Sequence, residues 1–167
     1  MQFEEHDLPK FTMAKRKLFM VYAVLFSTLG IYVALVFLTP FSGDPDPSSA
    51  RLLFYAVTAM GAFNGVAAVV LRHLVFRKLF DKPLGVDSSE AVSKAFERYI
   101  TLCIPCFALA ESAAILGLVL YFIIGSQLAF FILLGISAVS FALCRPSAEE
   151  MRDYAILQKT IASHSHL

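Results

Sequence analysis

Tryptophan is absent from the chain, cysteine occurs only three times, and charged residues make up 16 % of the 167 positions. Three thiols cannot staple a small fold through a full set of bridges, so a disulfide framework is excluded as the source of stability. A formal net charge of +1 gives no basic excess of the kind a nucleic acid recruits, and no nucleic-acid partner is expected. Neither a glycine-rich phosphate loop, nor a helical His-Glu metal motif, nor a Ser-His-Asp pattern occurs. No catalytic residue, metal site or small-molecule substrate is therefore assigned, and the reading is of a non-enzyme. His164 and His166 form a His-x-His, which offers two ligands where a zinc site needs at least three.

What the chain has instead is apolar surface. It is 58 % hydrophobic, with 16 phenylalanines and a mean hydropathy of +0.71. One small soluble core cannot cover that much, so the expected solvent is a lipid bilayer. A spanning helix needs about 20 apolar residues. Four stretches meet or approach that length: 18–38, 52–71, 99–125 and 127–144. Backbone in lipid must satisfy its own hydrogen bonds, and these runs are too long and evenly apolar for barrel strands, so each is expected to be a helix. The predicted fold is all-α: one polytopic membrane domain, residues 1–167, with four transmembrane helices.

The bases lie between the apolar runs. Lys10, Lys15, Arg16 and Lys17 precede the first, Arg72, Arg77, Lys78, Lys82, Lys94 and Arg98 fill the 72–98 connection, and Arg145 and Arg152 follow the fourth. The first connection carries Asp44 and Asp46 with no base before Arg51. This asymmetry places both termini, the 72–98 loop and the 145–167 tail in the cytoplasm. The first apolar run is longer than a signal-peptide core and lacks an Ala-x-Ala site, so it reads as a retained anchor. Within the loop, Pro83 and Gly85 break a basic continuation of helix two, and Asp87-Ser-Ser-Glu90 resembles a capping box that restarts a helix. Pro146-Ser147-Ala-Glu-Glu150 repeats that logic in the tail, where Tyr154, Leu157 and Ile161 are candidates for a membrane-surface face.

Small residues mark close helix packing where lipid gives no hydrophobic drive for association. Helix two carries Thr58, Gly61, Gly65 and Ala68; helix three carries Cys103, Cys106, Ala110, Ala113 and Gly117. Antiparallel depth counting pairs Gly65 with Cys106, Gly61 with Ala110 and Thr58 with Ala113. On this stripe Cys103-Ile-Pro-Cys106 reads first as packing, with a membrane thiol oxidoreductase as a remote alternative. Pro105 removes one backbone bond and is expected to bend its helix.

The chemistry-bearing residue is Glu111, the one ionisable group at mid-membrane depth. A charge there costs at least about 2.5–3.5 kcal/mol. No Lys or Arg matches its depth, so the neutral acid is expected, with Asn64 or Thr58 of helix two as its hydrogen-bond partner.

The run Phe107-Ala-Leu-Ala-Glu111-Ser112-Ala-Ala-Ile-Leu-Gly117-Leu-Val-Leu resembles the second helix of the proteolipid c subunit of rotary ATP synthases. The Gly- and Ala-rich helix before it is similar to that family's first helix. The resemblance implies a proton or sodium ion carried at Glu111, with Ser112 and Asn64 as further ligands; beyond those ions no cofactor is implied. It departs from that family in its long connection and its two additional helices. The chain as a whole also looks like bacterial four-helix membrane proteins of unknown function, which implies the bacterial inner membrane. The expected role is a non-catalytic membrane subunit or scaffold, in a homo-oligomer or with other membrane subunits, in which protonated Glu111 bonds helices two and three. The alternative is a c-like ion-binding or translocating subunit.

Overall fold

A computed structural model describes residues 7–41, 43, 46–81, 83–85 and 88–164. They form five helices and, among the described residues, no strand: α1 Leu8–Leu38, α2 Pro47–Asp81, α3 Ser88–Ile124, α4 Gln127–Leu143 and α5 Ala148–His164. Asp87 of the expected capping box and His166 lie outside the described residues.

Three helices are long and apolar enough to cross a membrane, and four if α4 and α5, bent by 45° at their junction, count as one span. At 1.5 Å per residue, α1 to α3 run for roughly 46–56 Å, well beyond an apolar layer of about 30 Å. The excess is the basic sequence. Most of the expected 72–98 loop is thus helical, since α2 continues to Asp81 and α3 begins at Ser88. Phe37 and Phe63 are each 70 % exposed, as side chains facing hydrocarbon are and those facing water seldom are.

Local chemistry sets the ends. Pro47 opens α2, where its missing N–H is not needed, and the Asp46 carboxylate accepts from the Ser49 N–H at 3.0 Å. The Ser48 hydroxyl beside it holds that carboxyl below the usual carboxylate range. Between α3 and α4 only Gly125 and Ser126 intervene. Gly125 sits at φ +71°, and a Cβ there would also meet the Phe41 ring at 2.4 Å. Ser126 caps α4 by accepting from the Ala129 N–H. Ser147 caps α5 through the Glu150 N–H at 3.3 Å.

α3 is the centre of the bundle, packed by all four other helices. Cys103, Cys106, Ala110, Ala113 and Ala114 have no exposed surface, and the helix runs unbroken through Pro105. The glycines of α2, however, face α4 and not α3. A Cβ at Gly61 would meet Leu133 at 2.5 Å, and one at Gly65 would meet Ile136 at 2.5 Å and the Ser140 Oγ at 3.0 Å. Gly117 of α3 also faces α4, against the Leu133 Cβ and the Phe130 backbone. Leu133 therefore fills a notch made by two glycines on two helices. The α2–α3 register also differs from the depth count. Asn64 meets Ser112 and Arg72 meets Cys103, a displacement of about five residues, more than one turn.

α5 turns back over the basic end of the bundle. Of the residues expected on a membrane-surface face, Tyr154 is fully buried against the bundle together with Met151 and Ala155, while Leu157 and Ile161 are partly exposed. Gln158 accepts from the Leu84 N–H at 3.0 Å, and Lys159 pairs with Asp7 at 3.0 Å.

The glycines differ in what replacement costs. A methyl at Gly117 would approach Phe130 backbone at 3.2 Å, whereas Gly135 has nothing within 4 Å. Gly117→Ala is expected to lose about 1–3 kcal/mol by overpacking. Gly135→Ala should gain up to about 1 kcal/mol from helix propensity. Unfolding in mixed micelles followed by circular dichroism would show the opposite signs.

Candidate functional site

Glu111 lies on α3, half-buried, facing α1. Its Oε1 is 2.8 Å from the Thr28 Oγ1 and 2.8 Å from the Tyr32 hydroxyl, two residues one helical turn apart. Neither of the expected α2 partners reaches it. Asn64 donates through Nδ2 to the Ser112 Oγ at 3.0 Å, and Ser112 passes its own proton to the Leu109 carbonyl at 2.7 Å. The Thr58 Oγ1 is buried with no hydrogen-bond partner among the described residues. Residues 111 and 112 are neighbours on a helix, so they point about 100° apart and serve different partners: Glu111 joins α3 to α1, and Ser112 joins α3 to α2. The Thr28 and Tyr32 hydroxyls carried a readable signal, a polar pair at spacing four within an apolar run.

The protons around Glu111 can be counted. Thr28 Oγ1 is 2.6 Å from the Leu25 carbonyl as well as 2.8 Å from the Glu111 carboxyl. One hydroxyl proton serves one of these. If it goes to Leu25, the usual helical back-bond, the contact with Glu111 needs a proton from the carboxyl itself. A neutral Glu111 satisfies Leu25, Thr28 and Tyr32 together, whereas an ionised one takes the Thr28 proton away from the backbone.

Cys103, Cys106 and Cys144 are free, buried thiols. Cys106 Sγ lies 3.6 Å from the Leu102 carbonyl and Cys103 Sγ accepts from Arg72 at 3.8 Å. No group of three or more His, Cys, Asp or Glu side chains is placed to hold a metal among the described residues.

A second polar cluster lies at the basic end, around Arg72, which nothing in the sequence distinguishes from the other bases of the 72–98 stretch. Arg72 is only 9 % exposed. It bonds the Glu150 carboxylate at 2.6 Å and the Arg145 carbonyl at 3.3 Å, and its guanidinium lies 3.6 Å from the Phe76 ring centre. The Tyr99 hydroxyl is 3.1 Å from the same Glu150 oxygen and 3.2 Å from the Ser147 carbonyl. Phe76 and Tyr99 meet edge to face at 4.9 Å. The cluster thereby joins α2, α3 and α5.

Comparison with protein-family models, with curated proteins and with solved structures returns no match to the chain.

Two measurements follow from these contacts. Tyr32→Phe should lower stability by about 0.6 kcal/mol and at most about 1.7, the range found for hydrogen bonds between membrane helices, and a double-mutant cycle should show coupling to Glu111 and none to Asn64. Glu150→Ala strands a buried guanidinium. Loss of one partner of a fully buried pair costs about 3–5 kcal/mol, and because Glu150 is 46 % exposed the expected loss is smaller, about 1–3 kcal/mol by the same unfolding assay.

Proposed function

We propose that the chain is a four-span integral membrane protein of the bacterial inner membrane, with both termini and the 82–87 connection in the cytoplasm. It acts as a non-catalytic subunit or scaffold of a membrane complex, in homo-oligomers or with other membrane subunits, and neutral Glu111 ties α1 to α3. The observation that carries this reading is the closed geometry of the carboxyl, with both hydrogen bonds to Glu111 made by α1 of the same chain. The expected tie between helices two and three is replaced by one between helices one and three. Orientation is supported by the bases: Arg72, Arg145 and the Asp7–Lys159 pair gather at one end of the bundle.

A second reading, a c-like proton or sodium site, keeps one observation in its favour. Three oxygen-bearing side chains, Glu111, Thr28 and Tyr32, converge at hydrogen-bond distance, and the second carboxyl oxygen has no bond among the described residues. Ser112, Asn64 and Thr58 do not join that set.

Glu111→Gln separates the two. Glutamine keeps an acceptor and a donor at the same place, so the scaffold reading expects assembly and stability near those of the unchanged protein. Under the ion-carrier reading, a hydrophobic carbodiimide would label Glu111 selectively and sodium would slow the labelling. An inert Glu111, together with intact assembly of the Gln variant, removes the carrier reading; sodium-sensitive labelling removes the scaffold one.

A further inference from the structure

The outer face between α2 and α4 holds an open groove of about 380 Å³. Gly65 forms its floor, and Val66, Val70, Ile136 and Val139 form its walls. Ser140, the one hydroxyl there, is bonded to the Gly65 and Ile136 carbonyls, so the groove offers nothing polar to a ligand. At the basic end it runs into a second cleft of about 290 Å³, with Val69 and Leu143 lining both. That cleft changes character at once: Arg72, His73, Arg145 and Glu150 line it. It opens where α4 ends at Leu143 and α5 bends away by 45°.

The charges there do not cancel. Glu150 is committed to Arg72 at 2.6 Å. Arg145 gives only its backbone carbonyl to that cluster, and its exposed side chain has no ion pair among the described residues. His73 is exposed beside it and makes no hydrogen bond among the described residues. One unpaired guanidinium and one imidazole thus stand at the mouth of an aliphatic slot.

We propose that this composite cleft binds one anionic phospholipid of the cytoplasmic leaflet, its phosphate against Arg145 and His73 and an acyl chain along α2 and α4 from Leu143 toward Gly65. The inference rests on the four-span reading, which puts Arg145 at headgroup level. Continuity and charge together select the occupant. A free phosphate has no use for an aliphatic groove about 10 Å long, the rise of α2 between Gly65 and Arg72. A partner helix would cover the valines but leave the guanidinium unanswered. An amphiphile with an anionic head and an apolar tail answers both, and basic pockets between helices on the cytoplasmic side are where such lipids are held.

The full chain, purified in mild detergent, would be titrated with phosphatidylglycerol, with phosphatidylcholine of the same acyl chains and with glycerol phosphate, with bound lipid read by native mass spectrometry. Phosphatidylglycerol should be retained selectively, one molecule per chain, and glycerol phosphate should not compete at millimolar concentration. Arg145→Gln should weaken retention about fivefold, the worth of one basic residue at an anionic surface. Arg145→Gln with His73→Gln should abolish the preference over phosphatidylcholine. Val139→Trp, at an exposed wall position, should block the tail and weaken both lipids. Equal retention of the two lipids, indifference to the double variant, or competition by glycerol phosphate would overturn the site. Carbonate extraction of membranes keeps the outcomes apart: a chain released without detergent sinks the four-span reading, whereas an inserted chain with no lipid preference sinks this site alone.

Discussion

The structure depends on how near two backbones can come to α4. Three or four of the helices are long and apolar enough to cross a membrane, and in lipid such helices gain nothing hydrophobic from association, so contact there must come from dispersion and a few polar bonds, both short-ranged. Gly61 and Gly117 leave a notch that Leu133 fills, and this sets the position of α4 against α2 and α3 at once. The polar ties follow from that placement. Ser140 reaches the Gly65 carbonyl only because Gly65 has no side chain in the way, and the cluster around Arg72 closes because α4 delivers Arg145 and α5 to the end of α2. Three helices meeting through glycine and leucine thus determine where the charged residues fall.

Helix existence and type were legible in the sequence because a 20-residue apolar run admits few alternatives. The extra turns of α2 and α3 beyond those runs were legible too, from the break at Pro83 and Gly85 and the capping pattern after it, whereas those of α1 were not, since a basic helix extension and a basic loop have the same composition. The pattern Gly61-xxx-Gly65 showed correctly that side chains of another helix pack into the gap. It did not show whose, because a small-residue stripe is a statement about distance and carries no partner identity. Depth counting assigned that stripe to α3, the next helix in the chain, when α4 occupies it.

Glu111 shows the same limit. Its cost at mid-membrane made it legible as a residue that needs a partner, and matching depth alone pointed to Asn64 and Thr58 of α2. The partners are the hydroxyls of Thr28 and Tyr32, whose spacing of four matched one face of α1. A hydroxyl is easily overlooked in an apolar run because its own helix backbone can satisfy it, as the Leu25 carbonyl does for Thr28. Arg72 was obscured for the opposite reason. Among many bases in one stretch, nothing local distinguished the one that would be buried.

The contact between Lys159 and Asp7 joins positions 152 residues apart, at the basic end of the bundle, where α5 lies across the extensions of the earlier helices. A ribosome makes Asp7 before the apolar helices α1 to α4 and Lys159 after them. The helices α1 to α4 are therefore synthesised before the clasp that holds their basic ends exists. The fold is locked by α5, so a nascent chain halted before it lacks the Glu150 that Arg72 and Tyr99 share and the Lys159 that pairs with Asp7. Such uncovered polar groups are a chemical mark by which an unfinished bundle differs from a finished one.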